Sequence, residues 1–214
     1  MAVFREVRRV LHDDGSLWLN LGDVYAASGK GGGGIRGNRT KSWESIRDRK
    51  GFRMPPSGFK HKDITLTPFR VAEALRADGW FLRQTIIWSK PVAIEPPRLD
   101  RPSSSHEYLF LLTKGKASRV RDPQESWWCE TVWSIAPDAS AFHQATMPQE
   151  LVRRCVVAST QTGDLILDPF LGSGTVGIVS ERLNRRWVGT DLSYQDLSKD
   201  LTAQRGLGLE LEMV

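Results

Sequence analysis

The feature that most restricts the fold of this chain is a glycine-rich turn, Gly172-Ser-Gly174-Thr-Val-Gly177, which matches the pattern GxGxxG. The apolar run from Asp164 to Leu167 predicts a strand before the turn, and Thr175 to Leu183 predicts a helix after it. A second strand, Trp187 to Gly189, then leads to Asp191. Strand, glycine turn, helix and a strand ending at an acid form a βαβ unit, which is typical of nucleotide-binding α/β proteins.

The residues around this turn favour one class of ligand. Glycines let the backbone approach a ligand closely, and Asp191 can accept hydrogen bonds from ribose hydroxyls. A dinucleotide would place its pyrophosphate at the N-terminus of the following helix, where Asp168 would repel it. The same carboxylate suits a cation, and S-adenosylmethionine carries both an ammonium and a sulfonium group. The alternative is a tight strand-to-helix turn that binds no ligand.

The rest of the chain also indicates alternating helices and strands. Its 214 residues, 40% of them hydrophobic, are enough for one sizeable α/β core, so we expect a single domain over 1–214. Hydrophobic spacing predicts helices at Phe4 to Leu11, Thr67 to Ala77 and Pro148 to Ala158, and strands at Ser16 to Leu21, Trp80 to Trp88 and Glu107 to Thr113. Two segments interrupt this pattern: a basic, glycine-rich loop at about 28–63 and an irregular segment at about 114–141.

Positive charge indicates a polyanionic partner. The chain carries 30 Lys and Arg against 25 Asp and Glu, a net charge of +5. Basic residues concentrate in the loop, and a proline-rich link adds two arginines that we expect to line a cleft. Because DNA phosphates are contacted by such side chains, we expect DNA to be bound by Lys30, Arg36, Arg39, Lys41, Arg98 and Arg101. A solvated loop without a ligand is the alternative.

The two cysteines, Cys129 and Cys155, form no CxxC pair and no cluster with histidines. Neither a disulfide framework nor a metal site is therefore expected. The basic N-terminal residues lack the apolar run of a signal peptide, and no stretch approaches membrane-spanning length. We expect a cytoplasmic protein without membrane contact, and the sequence leaves its oligomeric state open.

Motifs along most of the chain resemble the amino-group DNA methyltransferases whose motifs run in permuted order, catalytic region first and cofactor region last. The cofactor loop of that family is similar to Leu167-Asp-Pro-Phe-Leu-Gly-Ser-Gly-Thr175, and its acidic strand end to Arg186-Trp-Val-Gly-Thr-Asp-Leu-Ser193. The segment that closes over the methionine moiety resembles Phe142 to Arg153, where the usual Phe-Pro is Met147-Pro148. Two central segments of the family are similar to Asp78 to Pro91 and Arg101 to Lys114.

This resemblance implies a Rossmann-like methyltransferase fold, S-adenosylmethionine as cofactor and double-stranded DNA as partner. The methyl acceptor would be an exocyclic amine, adenine N6 or cytosine N4, in the manner of a restriction-modification enzyme, and the sequence leaves the base and the recognition site open. Cofactor contacts are implied for Asp168, Pro169, Phe170, Gly172, Ser173, Gly174, Thr175, Asp191, Phe142 and His143.

One motif of the family is missing here, the polar residue followed by Pro-Pro-Tyr or Pro-Pro-Phe that carries catalysis on a flipped base. Neither Pro55-Pro56 nor Pro96-Pro97 is followed by an aromatic residue, so no catalytic residue is assigned. The family carries this motif on a central strand, between the strand ending at Asp168 and the strand Leu17 to Leu21. We therefore expect two unpaired strand edges and little cofactor binding or activity. Our hypothesis is an N-terminally truncated product, or one read from an internal start codon.

Other polar residues have two interpretations each. Asn20 and Asp23 end a strand where α/β sheets bind ligands, but they also suit a turn. His106 and Glu107 resemble an acid-base pair, yet neighbours in a strand point to opposite faces, which favours a structural or DNA-proximal role. Two further functions stay open for the whole chain. One is a noncatalytic nucleic-acid-binding module, such as a degenerate protein of a phage or mobile element, and the other is an NAD-dependent oxidoreductase.

Overall fold

A computed structural model of the chain describes residues 1–26, 58–91, 100–138 and 147–191. The elements are α1 (Ala2–Val10), β1 (Ser16–Leu21), α2 (Thr67–Ala77), β2 (Phe81–Ser89), β3 (His106–Thr113), a 3-10 turn (Ser126–Cys129), β4 (Val132–Ser134), α3 (Gln149–Ser159), β5 (Leu165–Asp168), α4 (Thr175–Arg182) and β6 (Arg186–Gly189). Helices and strands alternate along most of this order, as the sequence predicts. The mixed α/β class is confirmed.

Four of these strands form one sheet in the order β1-β3-β2-β4. The strand β3 lies between β1 and β2 and runs antiparallel to both, so that Thr113 pairs with Ser16 on one side and with Phe81 on the other. The strand β4 runs parallel to β2 at the outer edge. Other elements pack on both faces of β3, so its residues from Leu109 onward are buried.

Helices α1 and α2 cover one face of this sheet. In α1, Phe4, Val7 and Leu11 recur at helical spacing and pack in one cluster with Leu75 of α2 and Phe110 of β3. An exposed ion pair between the two helices adds to this contact, with Arg5 and Asp78 at 2.8 Å. Burial of apolar surface is the main stabilising contribution here, since an exposed ion pair contributes little.

The opposite face of the sheet is covered by α3. Its residues Leu151, Cys155 and Ala158 pack against β2 and β3, while Val152 and Val156 pack against α4 and β5 on the other side of the helix. The helix therefore joins the four-stranded sheet to the last part of the chain.

The predicted βαβ unit forms a second, two-stranded sheet. Strands β5 and β6 pair in parallel, with Leu165 opposite Arg186 and Asp168 opposite Gly189. Helix α4 connects them, and Val179 on α4 packs in the cluster shared with α3. A parallel pair with its crossover helix is the arrangement that the glycine turn predicts.

Between the two sheets, the edges of β1 and β5 have no strand partner within the described residues. The missing central strand stays a prediction. Two contacts hold the β1 region here, one to the end of α3 and one to the residue before β5. The Trp18 indole N–H donates to the Ser159 hydroxyl at 3.1 Å, and Arg119 pairs with both Asp14, at 2.7 Å, and Asp164, at 3.4 Å.

The segment predicted to be irregular, 114–141, is more ordered than expected over its described part. The 3-10 turn places the ring centroid of Trp127 5.1 Å from that of Trp133 in β4, and the Arg154 guanidinium lies over both rings. Arg153 pairs with Glu125 at 2.7 Å, which ties the segment to α3. Sequence periodicity missed β4 because three residues are too short to show alternation.

The end of the predicted basic loop is also described and makes defined contacts. Ile64 forms a bridge with Tyr25, and Lys62 pairs with Asp100 at 2.6 Å. The rest of the loop, 28–57, lies outside the described residues. No helix of the described ranges has both the length and the apolar character to cross a membrane.

Candidate cofactor site

The glycine turn connects β5 to α4 in a conformation that favours glycine at two positions. Gly172 and Gly174 have φ values of 53° and 82°, in the left-handed region that side chains rarely adopt. Gly174 donates to the Leu171 carbonyl at 2.9 Å and caps the start of α4. The sharp turn leaves Gly172 exposed at the carboxyl end of the strand pair.

The third glycine of the pattern, Gly177, has a packing role. A Cβ atom at this position would lie 2.7 Å from Cε2 of Trp187, closer than any side chain tolerates. The absence of a side chain lets α4 lie directly on the Trp187 ring of β6. This glycine therefore supports the site through the approach of helix to strand, as in nucleotide-binding turns.

Two carboxylates flank the turn, at the carboxyl ends of neighbouring parallel strands. Asp168 ends β5, and its carboxylate accepts a hydrogen bond from the Phe170 N–H at 3.0 Å. Asp191 follows β6 and accepts a hydrogen bond from the Gly172 N–H at 2.8 Å. Burial raises the pKa of Asp168, and the nearby charge of Asp191 raises it further. Two negative groups in one partly buried place favour a cationic ligand.

Other predicted cofactor residues surround the same turn. The Ser173 and Thr175 hydroxyls lie 3.3 Å apart, and the Pro169 carbonyl accepts from the Thr190 hydroxyl at 3.1 Å. The Phe170 side chain is 61% exposed, and its ring centroid lies 6.4 Å from that of Phe4 in α1. The structure thus brings together eight of the ten predicted cofactor residues: seven between Asp168 and Thr175, and Asp191. The other two, Phe142 and His143, lie outside the described residues.

Of the predicted DNA contacts, only Arg101 lies in the described part of the chain. Its guanidinium lies 4.0 Å from the centroid of the Tyr25 ring and pairs with Asp100 at 3.0 Å. These contacts hold the side chain in place near the carboxyl end of β1, and its DNA contact stays a prediction. The same holds for Lys30, Arg36, Arg39, Lys41 and Arg98, which lie outside the described residues.

The geometry favours a structural interpretation of the two residues at the end of β1. The Asp23 carboxylate accepts from the Thr65 hydroxyl at 2.8 Å and from the Thr67 N–H at 3.2 Å, so it holds the start of α2. The Asn20 amide donates to the Tyr108 carbonyl at 3.2 Å. Both side chains are thereby directed at neighbouring elements of the fold.

The residues His106 and Glu107 point to opposite faces of β3, as strand alternation predicts. The His106 ring lies against Tyr108, with 3.2 Å between its Nε2 and the phenol oxygen. Glu107 pairs with Lys90, a partner that sequence reasoning missed and that also lies over the Trp88 ring. Strand alternation puts residues 88 and 90 on one face. That spacing could have predicted the contact of Lys90 with the Trp88 ring.

The comparisons with known proteins agree with this site. The family model described as DNA methylase, of the N6/N4 type, matches residues 1–199. The type II methyltransferase M.Cfr9I of Citrobacter freundii is 42% identical over 92% of this chain and 68% of its own length. M.SmaI of Serratia marcescens is 40% identical over 95% of this chain and 72% of its own length.

Solved structures give the same result. The Thermus thermophilus protein TTHA0409, in complex with S-adenosyl-L-methionine, is 25% identical and has a TM-score of 0.65, over 97% of this chain and 76% of that one. The cytosine-N4-specific PvuII methyltransferase is 18% identical with a TM-score of 0.72, over 99% and 70%, which shows the shared fold. None of these matches supports an oxidoreductase or a noncatalytic module. The chain belongs to the N6/N4 family of DNA methylases, whose cofactor is S-adenosylmethionine.

Proposed function

We propose that this chain binds S-adenosylmethionine at the glycine turn, with Asp168 and Asp191 as its acidic contacts, for methyl transfer to an exocyclic amine of double-stranded DNA. The observation that carries this proposal is the placement of both carboxylates at the carboxyl ends of β5 and β6, on either side of the turn. Open α/β sheets bind ligands at this end of their strands.

The chemistry of the residues fits the cofactor. S-adenosylmethionine supplies a methyl group that is activated by the positive charge on its sulfur. The raised pKa of Asp168 means that its negative charge is poorly compensated, and a cation nearby would compensate it. A phosphate at the same place would be repelled by both carboxylates, which argues against a dinucleotide.

DNA contact is assigned to the basic residues Lys30, Arg36, Arg39, Lys41, Arg98 and Arg101. The amine to be methylated, adenine N6 or cytosine N4, lies inside the duplex and is reached only when the base is flipped. Contacts to phosphate position the duplex for that step. Because bacterial type II methyltransferases are the relatives and DNA is the substrate, we infer a cytoplasmic location.

Cofactor binding is tested by calorimetric titration of the chain with S-adenosylmethionine. The Asp168→Asn variant should lose about ten- to a hundredfold in affinity, since a hydrogen bond to a charged group contributes ~1.5–3 kcal/mol. Glu130→Gln is the matched control, because it also removes one carboxylate charge, from an exposed side chain outside the site, and should keep the affinity. Equal affinities of Asp168→Asn and the unchanged chain would refute the assignment, and tighter binding of NAD would favour an oxidoreductase.

Activity is measured separately, by transfer of labelled methyl groups to duplex DNA. Because the sequence lacks the Pro-Pro-Tyr or Pro-Pro-Phe motif, we expect binding to be weak and transfer by the chain alone to be slow or undetectable. The affinity for DNA should fall as salt rises, by a slope of about −0.9 for each phosphate contact, and replacement of Lys41 or Arg39 by Ala should lower that slope. An affinity that is independent of salt would remove the basic loop from the interface.

A further inference from the structure

The carboxylate of Asp100 lies between two basic side chains, Lys62 and Arg101, which we call the cation pair. One carboxylate oxygen accepts a hydrogen bond from the Lys62 ammonium at 2.6 Å, and the other accepts from the Arg101 guanidinium at 3.0 Å. The hydrogen bond from Lys62 is the main reason why the pKa of Asp100 lies below its usual range. Asp100 is therefore a charged counter-ion of the cation pair at neutral pH.

Each member of the cation pair is also held by a contact that does not involve Asp100. The Arg101 guanidinium lies over the Tyr25 ring, 4.0 Å from its centroid. The Lys62 N–H donates to the Ala26 carbonyl at 3.0 Å, next to the β-bridge that Tyr25 forms. This backbone contact fixes Lys62 at a φ of 71°, a left-handed conformation that side chains rarely adopt. The two cations therefore stay near each other when the Asp100 side chain turns away.

The cation pair is accessible to a ligand from solvent. The side chains of Lys62 and Asp100 are 57% and 44% exposed, and that of Arg101 is 23% exposed. A carboxylate and a phosphate diester each offer two oxygens that share a negative charge, and a guanidinium binds either group. Asp100 thus occupies the place that a phosphate can take.

The cation pair lies on the same side of the molecule as the candidate cofactor site. Tyr25, which Arg101 contacts, follows the carboxyl end of β1. Helix α1 packs along β1 after a short turn, so Phe4, near the start of the helix, lies toward that end of the strand. Phe4 in turn contacts Phe170, just before the glycine turn. A duplex bound at the cation pair therefore meets the side of the molecule that carries the glycine turn.

We propose that the cation pair is a binding site for a phosphate of duplex DNA, and that Asp100 is an internal competitor which the phosphate displaces. The phosphate oxygens take over both hydrogen bonds of Asp100, whose side chain turns toward solvent. Because two ion pairs must break first, Asp100 lowers the affinity for DNA. This inference rests on the proposed function, since it takes DNA as the partner.

Other roles of Asp100 predict different results when its charge is removed. An exposed ion pair that contributes only to stability, and contributes little, would leave the affinity for DNA unchanged. A carboxylate that holds the two cations in position for DNA would weaken the affinity when it is lost. Displacement alone predicts that DNA binds more tightly.

The test measures binding of a double-stranded oligonucleotide to the full chain by fluorescence anisotropy. Asp100→Asn should bind the duplex about three- to tenfold more tightly, because it removes two ion pairs and a negative charge beside the phosphate. Asp63→Asn is the matched control. It makes the same change one residue from Lys62, but its carboxylate accepts from the Lys60 N–H and occupies no part of the cation pair. Its gain should be less than about twofold.

A second variant tests the contribution of Lys62. Lys62→Gln should weaken duplex binding and lower the slope of its salt dependence by about 0.9, the value of one phosphate contact. When Asp100→Asn is added to Lys62→Gln, the gain should be smaller than in the unchanged chain, because one of the two ion pairs is already absent. Circular dichroism checks that each variant folds.

Inorganic phosphate is a second probe, which separates the cation pair from the rest of the duplex interface. Its binding is followed by the NMR signals of the Arg101 side chain. Asp100→Asn should bind phosphate at least about threefold more tightly than the unchanged chain. Equal binding of phosphate by the two proteins would overturn the displacement of Asp100.

The duplex measurements separate this inference from the proposed function. If the unchanged chain binds the duplex and Asp100→Asn binds it equally or more weakly, displacement is refuted and the proposed DNA contact stands. An equal gain in Asp63→Asn would assign the effect to net charge and would also refute displacement. Absence of duplex binding in every variant would refute the DNA contact itself, whether or not phosphate binds.

Discussion

The Asp191 carboxylate accepts a hydrogen bond of 2.8 Å from the backbone N–H of Gly172. This bond connects the end of β6 to the turn that follows β5, and the Leu171 N–H adds a second link by donating to the Thr190 carbonyl at 3.0 Å. The shape of the candidate cofactor site therefore depends on the pairing of β5 with β6. Helix α1, which covers the four-stranded sheet, reaches this site through the contact of Phe4 with Phe170.

The pKa of Asp168 predicts how cofactor binding depends on pH. Its folded-state pKa is raised by burial and by Asp191, so the carboxylate destabilises the empty protein as pH rises through that pKa. A cationic ligand binds the ionised form, and its affinity should rise over the same range. We expect Asp168→Asn to bind weakly at every pH and to be at least as stable as the unchanged chain at neutral pH. Titrations and thermal unfolding between pH 4 and pH 8 measure both effects. An affinity of the unchanged chain that is constant with pH would contradict this prediction.

The contact of Gly177 with Trp187 predicts a loss of stability on Gly177→Ala. The new Cβ would meet the indole ring at 2.7 Å, and overpacking of this kind costs about 1–3 kcal/mol. Urea unfolding measures the difference. Gly115→Ala is the control, because its Cβ would have no neighbour nearer than the Asp13 carbonyl at 4.0 Å. Equal losses in the two variants would show that glycine removal alone, and not the ring, is responsible.

The contact of Glu125 with Arg153 predicts sensitivity to acid. Hydrogen bonds from Arg153 and then from Trp127 lower the pKa of Glu125 to about 2 from its ordinary 4.5. The stability that this pair provides is complete above pH 4.5 and is lost as pH falls toward 2. Both side chains are about one third exposed, so the contribution is small. Glu125→Gln should lower the melting temperature by about 2–4 °C at neutral pH and not at all near pH 2.

The matched variant for this experiment is Glu130→Gln. Glu130 lies in the same segment with an exposed side chain, and its backbone carbonyl accepts the Trp133 indole N–H, which the substitution retains. A pH-dependent loss of the same size in both variants would point to net charge instead of the Arg153 pair.

The double ion pair of Arg119 predicts a salt-sensitive connection between the two sheets. Removal of the guanidinium in Arg119→Gln leaves the carboxylates of Asp14 and Asp164 without the cation that they share, so the melting temperature should fall at low salt. The difference from the unchanged chain should shrink as salt screens the charges. Arg121→Gln is the control, since its contact with α3 is a backbone hydrogen bond to Ala158. A difference that is equal at low and high salt would rule out an electrostatic role.

Local pattern was enough to predict most of the fold. The Thr67–Pro68 start of α2, the aromatic and branched residues of β2 and β3, and the strand, turn, helix and strand from Leu165 to Gly189 all lie within a residue or two of their predicted places. In these segments the hydrophobic period and the turn residues indicate the same structure, which is why sequence alone sufficed.

Contacts between distant segments were beyond local pattern. Glu125 and Arg153 are an example, because the two residues pair across 28 positions and Glu125 stands in no periodic run. The contact of Asp23 with the start of α2 is another example. The Asp23 carboxylate accepts a hydrogen bond from the Thr67 N–H, which lies 44 positions later in the chain. Sequence reasoning placed Asp23 correctly at a strand end but left open what it contacts. Such pairings depend on how the chain folds back, which short-range spacing does not encode.

The tryptophans give the two sheets separate optical signatures. The ring centroid of Trp133 lies 5.1 Å from that of Trp127 and 6.3 Å from that of Trp18. At these distances the electronic transitions of the rings couple and give a circular dichroism band. Trp187 lies in the other sheet, where its indole N–H donates to Glu181 at 2.9 Å. Loss of the coupled band therefore reports the separation of β1 and β4 from the 3-10 turn. The difference in fluorescence between the unchanged chain, which has eight tryptophans, and Trp187→Phe reports the βαβ unit, so the two signals together show which sheet opens first.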